Sequence, residues 1–224
     1  LAKNALATIT VDLSDGVASG AYYLENTCTN VITQTTILIA TSQSTVYYKD
    51  SIAEAITLSA ADNAGTMATG TLAITSGPNR LKITGPTNPV SGACATFVVS
   101  TKDASNITAA VSSNVIVDIA DGAGLGTLYS DATCTTISSS VTVLAAQSSV
   151  NFYYKNNTSE SVVLTASDNG SVLSSDAMSI SVEPNHLVLT GNTIFNSGTC
   201  QSYLITTKDA NNTTASMFAT LTLY

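Results

Sequence analysis

The chain repeats itself after 106 residues without an insertion or deletion. Val11-Asp12 with Asp15-Gly16 returns as Val117-Asp118 with Asp121-Gly122, and Tyr23, Cys28 and Thr29 return as Tyr129, Cys134 and Thr135. Tyr47-Tyr48-Lys49 matches Tyr153-Tyr154-Lys155, Pro78-Asn79 with Leu81 matches Pro184-Asn185 with Leu187, and Cys94 with Thr101-Lys102-Asp103-Ala104 matches Cys200 with Thr207-Lys208-Asp209-Ala210. Of the 118 pairs i and i+106 that 224 residues allow, 38 are identical. The period is a natural domain length, so the economical reading is duplication of a domain-sized unit.

Within each copy the apolar residues alternate. In Val150-Asn151-Phe152-Tyr153-Tyr154-Lys155 one face carries Val150, Phe152 and Tyr154, and the other copy places Val46 and Tyr48 on the same face. That is the period of a half-buried strand. Short β-branched runs at 97–100, 115–119, 141–145, 162–166 and 180–182 are separated by Gly, Asn, Asp and Ser. Seven or so such strands per 106 residues predict an all-β chain of immunoglobulin-type β-sandwiches. The alternative is a single large barrel or jelly roll.

Composition narrows the function classes. Hydrophobic residues make up 44% and charged ones 10%, a balance that can bury a core and argues against disorder. Seven Lys and Arg against fifteen Asp and Glu leave a net charge of −8. Such a surface has no electrostatic footprint for a nucleic acid or an anionic membrane. No apolar run is long enough for a membrane helix. Leu1 stands where an initiator Met would, with no signal-peptide layout after it, which predicts a processed or trimmed chain.

Segments such as Gly126-Thr-Leu-Tyr-Ser-Asp-Ala-Thr-Cys134-Thr-Thr, Val150-Asn-Phe-Tyr-Tyr-Lys155 and Val163-Leu-Thr-Ala-Ser167 resemble the bacterial immunoglobulin-like repeats of tandem cell-surface and adhesin proteins. The resemblance covers nearly the whole chain and implies a scaffold rather than an activity. It implies units that open after a Pro-containing linker, with one Cys before the second strand and another after the third. That phase places linkers at 76–78 and 182–184, and a complete unit at 77–182. Residues 1–76 then form a unit lacking its first two strands, and 183–224 carry those strands plus one more. The chain is expected to start and stop in mid-domain.

In this phase Cys94 is expected to pair with Cys134, which leaves Cys28 and Cys200 as the matching positions of the split unit. A different phase would instead pair Cys28 with Cys94 and Cys134 with Cys200. Four cysteines in such a composition point to an oxidising, extracellular setting. Cys28 and Cys200 would join within one chain if the split unit closes on itself, or between chains if it closes on a neighbour.

The function predicted from this phase is structural. The chain reads as the subunit of a surface fibre or pilus-like filament, a head-to-tail homopolymer whose residues 185–224 complete the N-terminal unit of the next copy by strand donation. Met217, Phe218, Leu221, Leu223 and Tyr224 form a surplus alternating strand, the candidate donor; its alternative is a chain cut from a longer array. Other readings are a monomeric adhesin module that binds a surface glycan or protein through its loops, and an accessory domain of a secreted hydrolase. Asn106, Asn156, Asn157, Asn169, Asn211 and Asn212 head N-x-S/T sequons, so glycosylation is permitted.

No catalytic, cofactor-binding or metal-ligating set is read from the residues. His186, the single histidine, stands where the other copy has Arg80, beside a linker. Asp12, Asp15, Asp118, Asp121, Asp103, Asp209 and Asn211 read as turn residues. No spacing among them resembles an EF-hand loop, and no Cys-x-x-Cys pair suggests zinc. Gly122-Ala-Gly124-Leu-Gly126 reads as a wide turn requiring positive φ.

Overall fold

The computed structural model describes residues 5–16 and 19–220. Their regular structure is all β, arranged as immunoglobulin-like sandwiches. Two compact units are present, one of residues 1–78 and 103–109, the other of 79–102 and 110–224.

Unit 1 contains β1 (Ile9–Ser14), β2 (Gly20–Tyr23), β3 (Val31–Ile32), β4 (Gln34–Ile37), β5 (Tyr47–Asp50), β6 (Ala55–Asp62) and β7 (Gly70–Thr75). Unit 2 contains β8 (Arg80–Thr84), β9 (Ala95–Lys102), β10 (Val115–Ala120), β11 (Thr127–Tyr129), β12 (Ser140–Val143), β13 (Ser149–Lys155), β14 (Ser161–Asp168), β15 (Asp176–Ser181), β16 (His186–Gly191) and β17 (Tyr203–Lys208).

Strands β8 to β15 make a sandwich of two four-stranded antiparallel sheets, ordered β11-β13-β9-β8 and β12-β10-β14-β15. Burial follows the alternation, so β9 and β14 put every second residue inside. Leu81, Ile83, Phe97, Val99 and Phe152 from the first sheet meet Val117, Ile119, Leu164 and Ile180 from the second in one core cluster. Phe97 stacks on Phe152 with ring centroids 5.4 Å apart. Burial of such side chains at about 1.5–3 kcal/mol each is what offsets the entropy of ordering a chain this short of helix.

Unit 1 reproduces only the later part of that sandwich. Its sheets are β4-β1-β6-β7 and β3-β2-β5. The repeat holds in register as well as in sequence, for Val11↔Asp62 becomes Val117↔Asp168 and Tyr23↔Tyr47 becomes Tyr129↔Tyr153. Among the described residues of this unit no strand corresponds to β8 or β9. Adding 106 to β8 and β9 leads instead to β16 and β17, which pair with each other as a two-stranded sheet.

The glycine run of the second copy serves two purposes. Gly122 has φ +65°, as the turn reading requires. Gly126 is needed for close approach instead, since a Cβ there would lie 2.1 Å from the Tyr154 hydroxyl. With no side chain in the way, Tyr154 Oη reaches Asp121 Oδ2 at 3.2 Å, and Gly20 lets Tyr48 Oη reach Asp15 at 2.9 Å. Burial, reinforced by the neighbouring carboxylate, pushes both phenols above their ordinary range.

Candidate functional site

A strand needs a ladder partner, and β5 has one on a single side only. Its counterpart β13 pairs with β11 on one edge and with β9 on the other, over Ser149↔Ser100 to Tyr154↔Ala95. Among the described residues nothing pairs with the outer edge of β5, and residues 43–46, which match the first half of β13, are not in strand conformation. Unit 1 has a groove of about 310 Å³ lined by Leu13, Tyr22, Val46, Leu58 and Leu72. Of the unit's strand residues only Tyr22 and Ile56 are buried, at 7% and 3% exposure. The Leu164 and Ala166 side chains are wholly enclosed, whereas their counterparts Leu58 and Ala60 reach solvent.

The repeat counterparts of the buried hairpin β8–β9 are β16 and β17. Leu81, Ile83, Phe97 and Val99 are 2%, 2%, 0% and 0% exposed, while Leu187, Leu189, Tyr203 and Ile205, 106 residues on, are 45%, 64%, 46% and 52% exposed. The inward face of a sandwich hairpin therefore faces water. At its end the outer edge of β17 bonds to residues 213–215, with Ala215 N donating to Thr207 O at 3.1 Å, but among the described residues no strand pairs with it along 203–206, although its counterpart β9 bonds to two strands.

The base of this hairpin is firmly held in unit 2. Asp209 is buried, and its Oδ1 accepts from the amides of Asn211 and Thr213 at 3.0 and 2.9 Å while Oδ2 accepts from Ser159 N at 3.3 Å. Ala210 N donates to Ser91 Oγ at 3.1 Å, and Asn211 Nδ2 to Thr158 Oγ1 at 3.1 Å. Unit 1 contains the same device, with buried Asp103 accepting from Ile107 N at 2.8 Å and from Ala53 N at 3.2 Å. Reading these aspartates as turn formers captures only one of their two carboxylate oxygens. The signal for the other was the identity of Thr-Lys-Asp-Ala in both copies.

Cys94 and Cys134 form a disulfide with Cα atoms 5.8 Å apart, while Cys28 and Cys200 carry free thiols. The strands it joins differ from the second and third of the unit. Cys94 precedes β9, but Cys134 follows β11, the fourth strand, and β9 and β11 flank β13 in the same sheet. The third strand, β10, belongs to the opposite sheet, so proximity of β9 to its end is not what brings the two sulfurs together.

The turn carrying each second cysteine is built around an acceptor carboxylate. Asp131 accepts from the amides of Thr133, Thr135 and Thr136 and from the Thr133 hydroxyl, and Glu25 accepts from Thr29 N and Asn30 N at 3.0 and 2.7 Å and from the Thr29 hydroxyl. Cys134 and Cys28 take the same left-handed conformation, φ 51° and 50°. The Thr29 hydroxyl and the Asn30 amide hold the Glu25 carboxyl down at about 2, from an ordinary 4.5. Because the folded value is depressed, this support is complete above pH 4.5 and is lost as pH falls through 2. Glu25→Gln is expected to lower the protection of the Thr29 and Asn30 amides from hydrogen exchange at neutral pH and to remove the further loss of protection, relative to the intrinsic rates, that acid causes in the wild type; NMR-detected protection factors equal to those of the wild type would refute the role.

Other residues singled out from the sequence are scattered. Both ring nitrogens of exposed His186 lie against asparagine side-chain oxygens, those of Asn185 and Asn212. Among the described residues no three His, Cys, Asp or Glu side chains gather as a metal site. Asn156 is buried, with Nδ2 donating to Glu160 at 2.7 Å and to the Tyr154 hydroxyl at 3.2 Å, while Asn106, Asn157, Asn169, Asn211 and Asn212 are exposed. Met217 and Phe218 lie outside any strand, at the foot of the hairpin, where Phe218 N donates to Glu183 Oε2 at 2.9 Å. Leu221, Leu223 and Tyr224 lie outside the described residues.

No family model matches the chain, and no curated protein does. Solved structures similar to it include the D00-D0 domain of intimin, with a TM-score of 0.41 and 16% identity over 80% of this chain and 87% of that one. The adhesin InvE of Yersinia pseudotuberculosis matches with a TM-score of 0.36 and 12% identity over 78% of this chain and 49% of that one. A glycosyl hydrolase family 2 member from Bacteroides cellulosilyticus matches with a TM-score of 0.38 and 12% identity over 78% of this chain and 21% of that one. The chain thus spans about a fifth of that hydrolase's length.

Proposed function

We propose that the chain is a non-catalytic structural subunit of an extracellular surface fibre, assembled head to tail as the β16–β17 hairpin of one copy completes the open sandwich of unit 1 in the next. One observation carries this reading: four apolar side chains buried in β8–β9 recur exposed in β16–β17, and unit 1 has an open groove and a free strand edge in the corresponding place. Transposing the β9–β13 register sets Ile205 opposite Ser44 and Tyr203 opposite Val46. Residues 43–46 would then gain the ladder that makes them a strand. This is strand addition with an obligate partner, and because hairpin and groove are different surfaces the contact propagates rather than closing as a symmetric pair. The anchored hairpin base favours it further, since little ordering entropy remains to be lost on docking. The disulfide suits an oxidising compartment, and the five exposed sequons are the proposed sites of any glycosylation.

The test is sedimentation velocity of the full chain and of Leu189→Asp/Ile205→Asp. The wild type is expected to form a concentration-dependent series of oligomers and the variant to remain monomeric with unchanged far-UV circular dichroism, because both replaced side chains already face water in the single chain. Equal assembly by the variant, or a wild type that stays monomeric at high concentration, would overturn the reading. A monomer whose β17 amides are protected from exchange would show instead that the hairpin closes on its own chain.

A further inference from the structure

We infer that each head-to-tail joint is locked by a disulfide between Cys28 of the accepting copy and Cys200 of the donating copy. The inference rests on the strand-donation reading above and adds a covalent bond to it. Cys28 and Cys200 are the repeat counterparts of Cys134 and Cys94, which are bonded in unit 2. There the bond joins the segment before β9 to the turn after β11. In the proposed joint the segment before β17 comes from one copy and the turn after β2 from another, so the equivalent bond crosses between chains.

Both arms share backbone features with the bonded pair. The Cys28 turn has the φ of the Cys134 turn, and Cys28 N donates to Glu25 O at 3.1 Å as Cys134 N donates to Asp131 O at 3.1 Å. On the other arm Gly198 has φ 83° where Gly92 has 78°, and Thr199 N donates to Asn196 O at 3.2 Å as Ala93 N donates to Val90 O at 3.1 Å. Cys200 is exposed and Cys28 partly so, and both are thiols. Placing β17 beside β5 in the β9–β13 register sets Cys200 and Cys28 at the positions that Cys94 and Cys134 hold in unit 2.

The step is a two-electron oxidation by a small-molecule disulfide such as oxidised glutathione. One cysteine thiolate attacks the oxidant and releases one thiol, and the second thiolate displaces the other. The Cys28–Cys200 S–S bond forms, the oxidant's S–S bond breaks, and two reduced thiols leave with the two protons.

Two full-length variants, Cys28→Ser and Cys200→Ser, are incubated in a glutathione redox buffer singly and as an equal mixture, then run on a non-reducing denaturing gel. Each retains Cys94 and Cys134. Only the mixture can place an intact Cys28 against an intact Cys200, so it is expected to give a reducible dimer and no longer ladder, on the order of ten- to a hundredfold more than either variant alone. Wild-type chain should give a full ladder containing a Cys28–Cys200 peptide. A wild type that sediments as oligomers yet yields only monomer on the gel would overturn the lock and leave strand donation standing. A Cys28–Cys200 peptide recovered from the monomer band would overturn it too, by showing closure within one chain. If wild type and the double variant Cys28→Ser/Cys200→Ser both remain monomeric in sedimentation, strand donation itself fails, and the lock with it.

Discussion

Phe97→Ala is expected to destabilise unit 2 by about 3–5 kcal/mol, whereas Tyr203→Ala, the same truncation one repeat later, should cost under about 1 kcal/mol in dilute single chains. The two positions share a register place in their hairpins, Phe97 opposite Gly85 in sequence phase and Tyr203 opposite Gly191, and in both a Cβ on the glycine would lie 2.3 Å from the ring. They differ in what covers the other face. Phe97 is sealed against Phe152 and the facing sheet, so its removal leaves a cavity, while the Tyr203 ring is already half in water. In the assembled state Tyr203→Ala should become costly, because docking encloses the ring. Urea unfolding followed by far-UV circular dichroism is the appropriate measurement, as the chain has no Trp. Equal, small effects at both sites in single chains would mean that the sandwich core is not where Phe97 places it. Equal, large effects would mean that Tyr203 is enclosed even without a partner.

The second large effect is expected on removing the Cys94–Cys134 bond. The cysteines are 40 residues apart, and closing a loop of that length in the unfolded chain is worth about 4 kcal/mol in the chain-entropy account. Cys94→Ser/Cys134→Ser should therefore lower the thermal midpoint of unit 2 by about 15 °C or more. Differential scanning calorimetry checks this, and a midpoint within a few degrees of wild type would show that the unfolded state is constrained by other means. Because unit 1 contains neither residue of the pair, its own transition should not move.

Much of this architecture was legible in the residues. Alternation in Val150–Lys155 predicted which face of β13 is buried, and Phe152 and Tyr154 are indeed enclosed while Tyr153 is not. The expectation that residues 1–76 lack the first two strands of a unit came from the unit phase that the family resemblance implies, because the 106-residue spacing alone does not say where a unit begins. Other features were not legible. Gly126 looked like a turn glycine, yet its need is for space beneath a tyrosine ring that arrives from β13, nearly thirty residues on. Asp103 and Asp209 looked like ordinary turn formers because a local pattern shows only the partners within a few residues. Their second partners, Ala53 and Ser159, are 50 residues away and are brought up by folding.

The all-β class, the repeat and the inward face of most strands follow from the residues alone, because strand periodicity and duplication are properties of adjacent and equally spaced residues. It takes the folded chain to show that β13 lies between β9 and β11, that Cys134 reaches Cys94 from the turn after the fourth strand, and that Leu187, Leu189, Tyr203 and Ile205 face water while their counterparts are buried. The residue types at those four positions are apolar in both copies. Whether such a face is core or surface depends on whether a second sheet is there to cover it, and that is a fact about packing rather than about sequence.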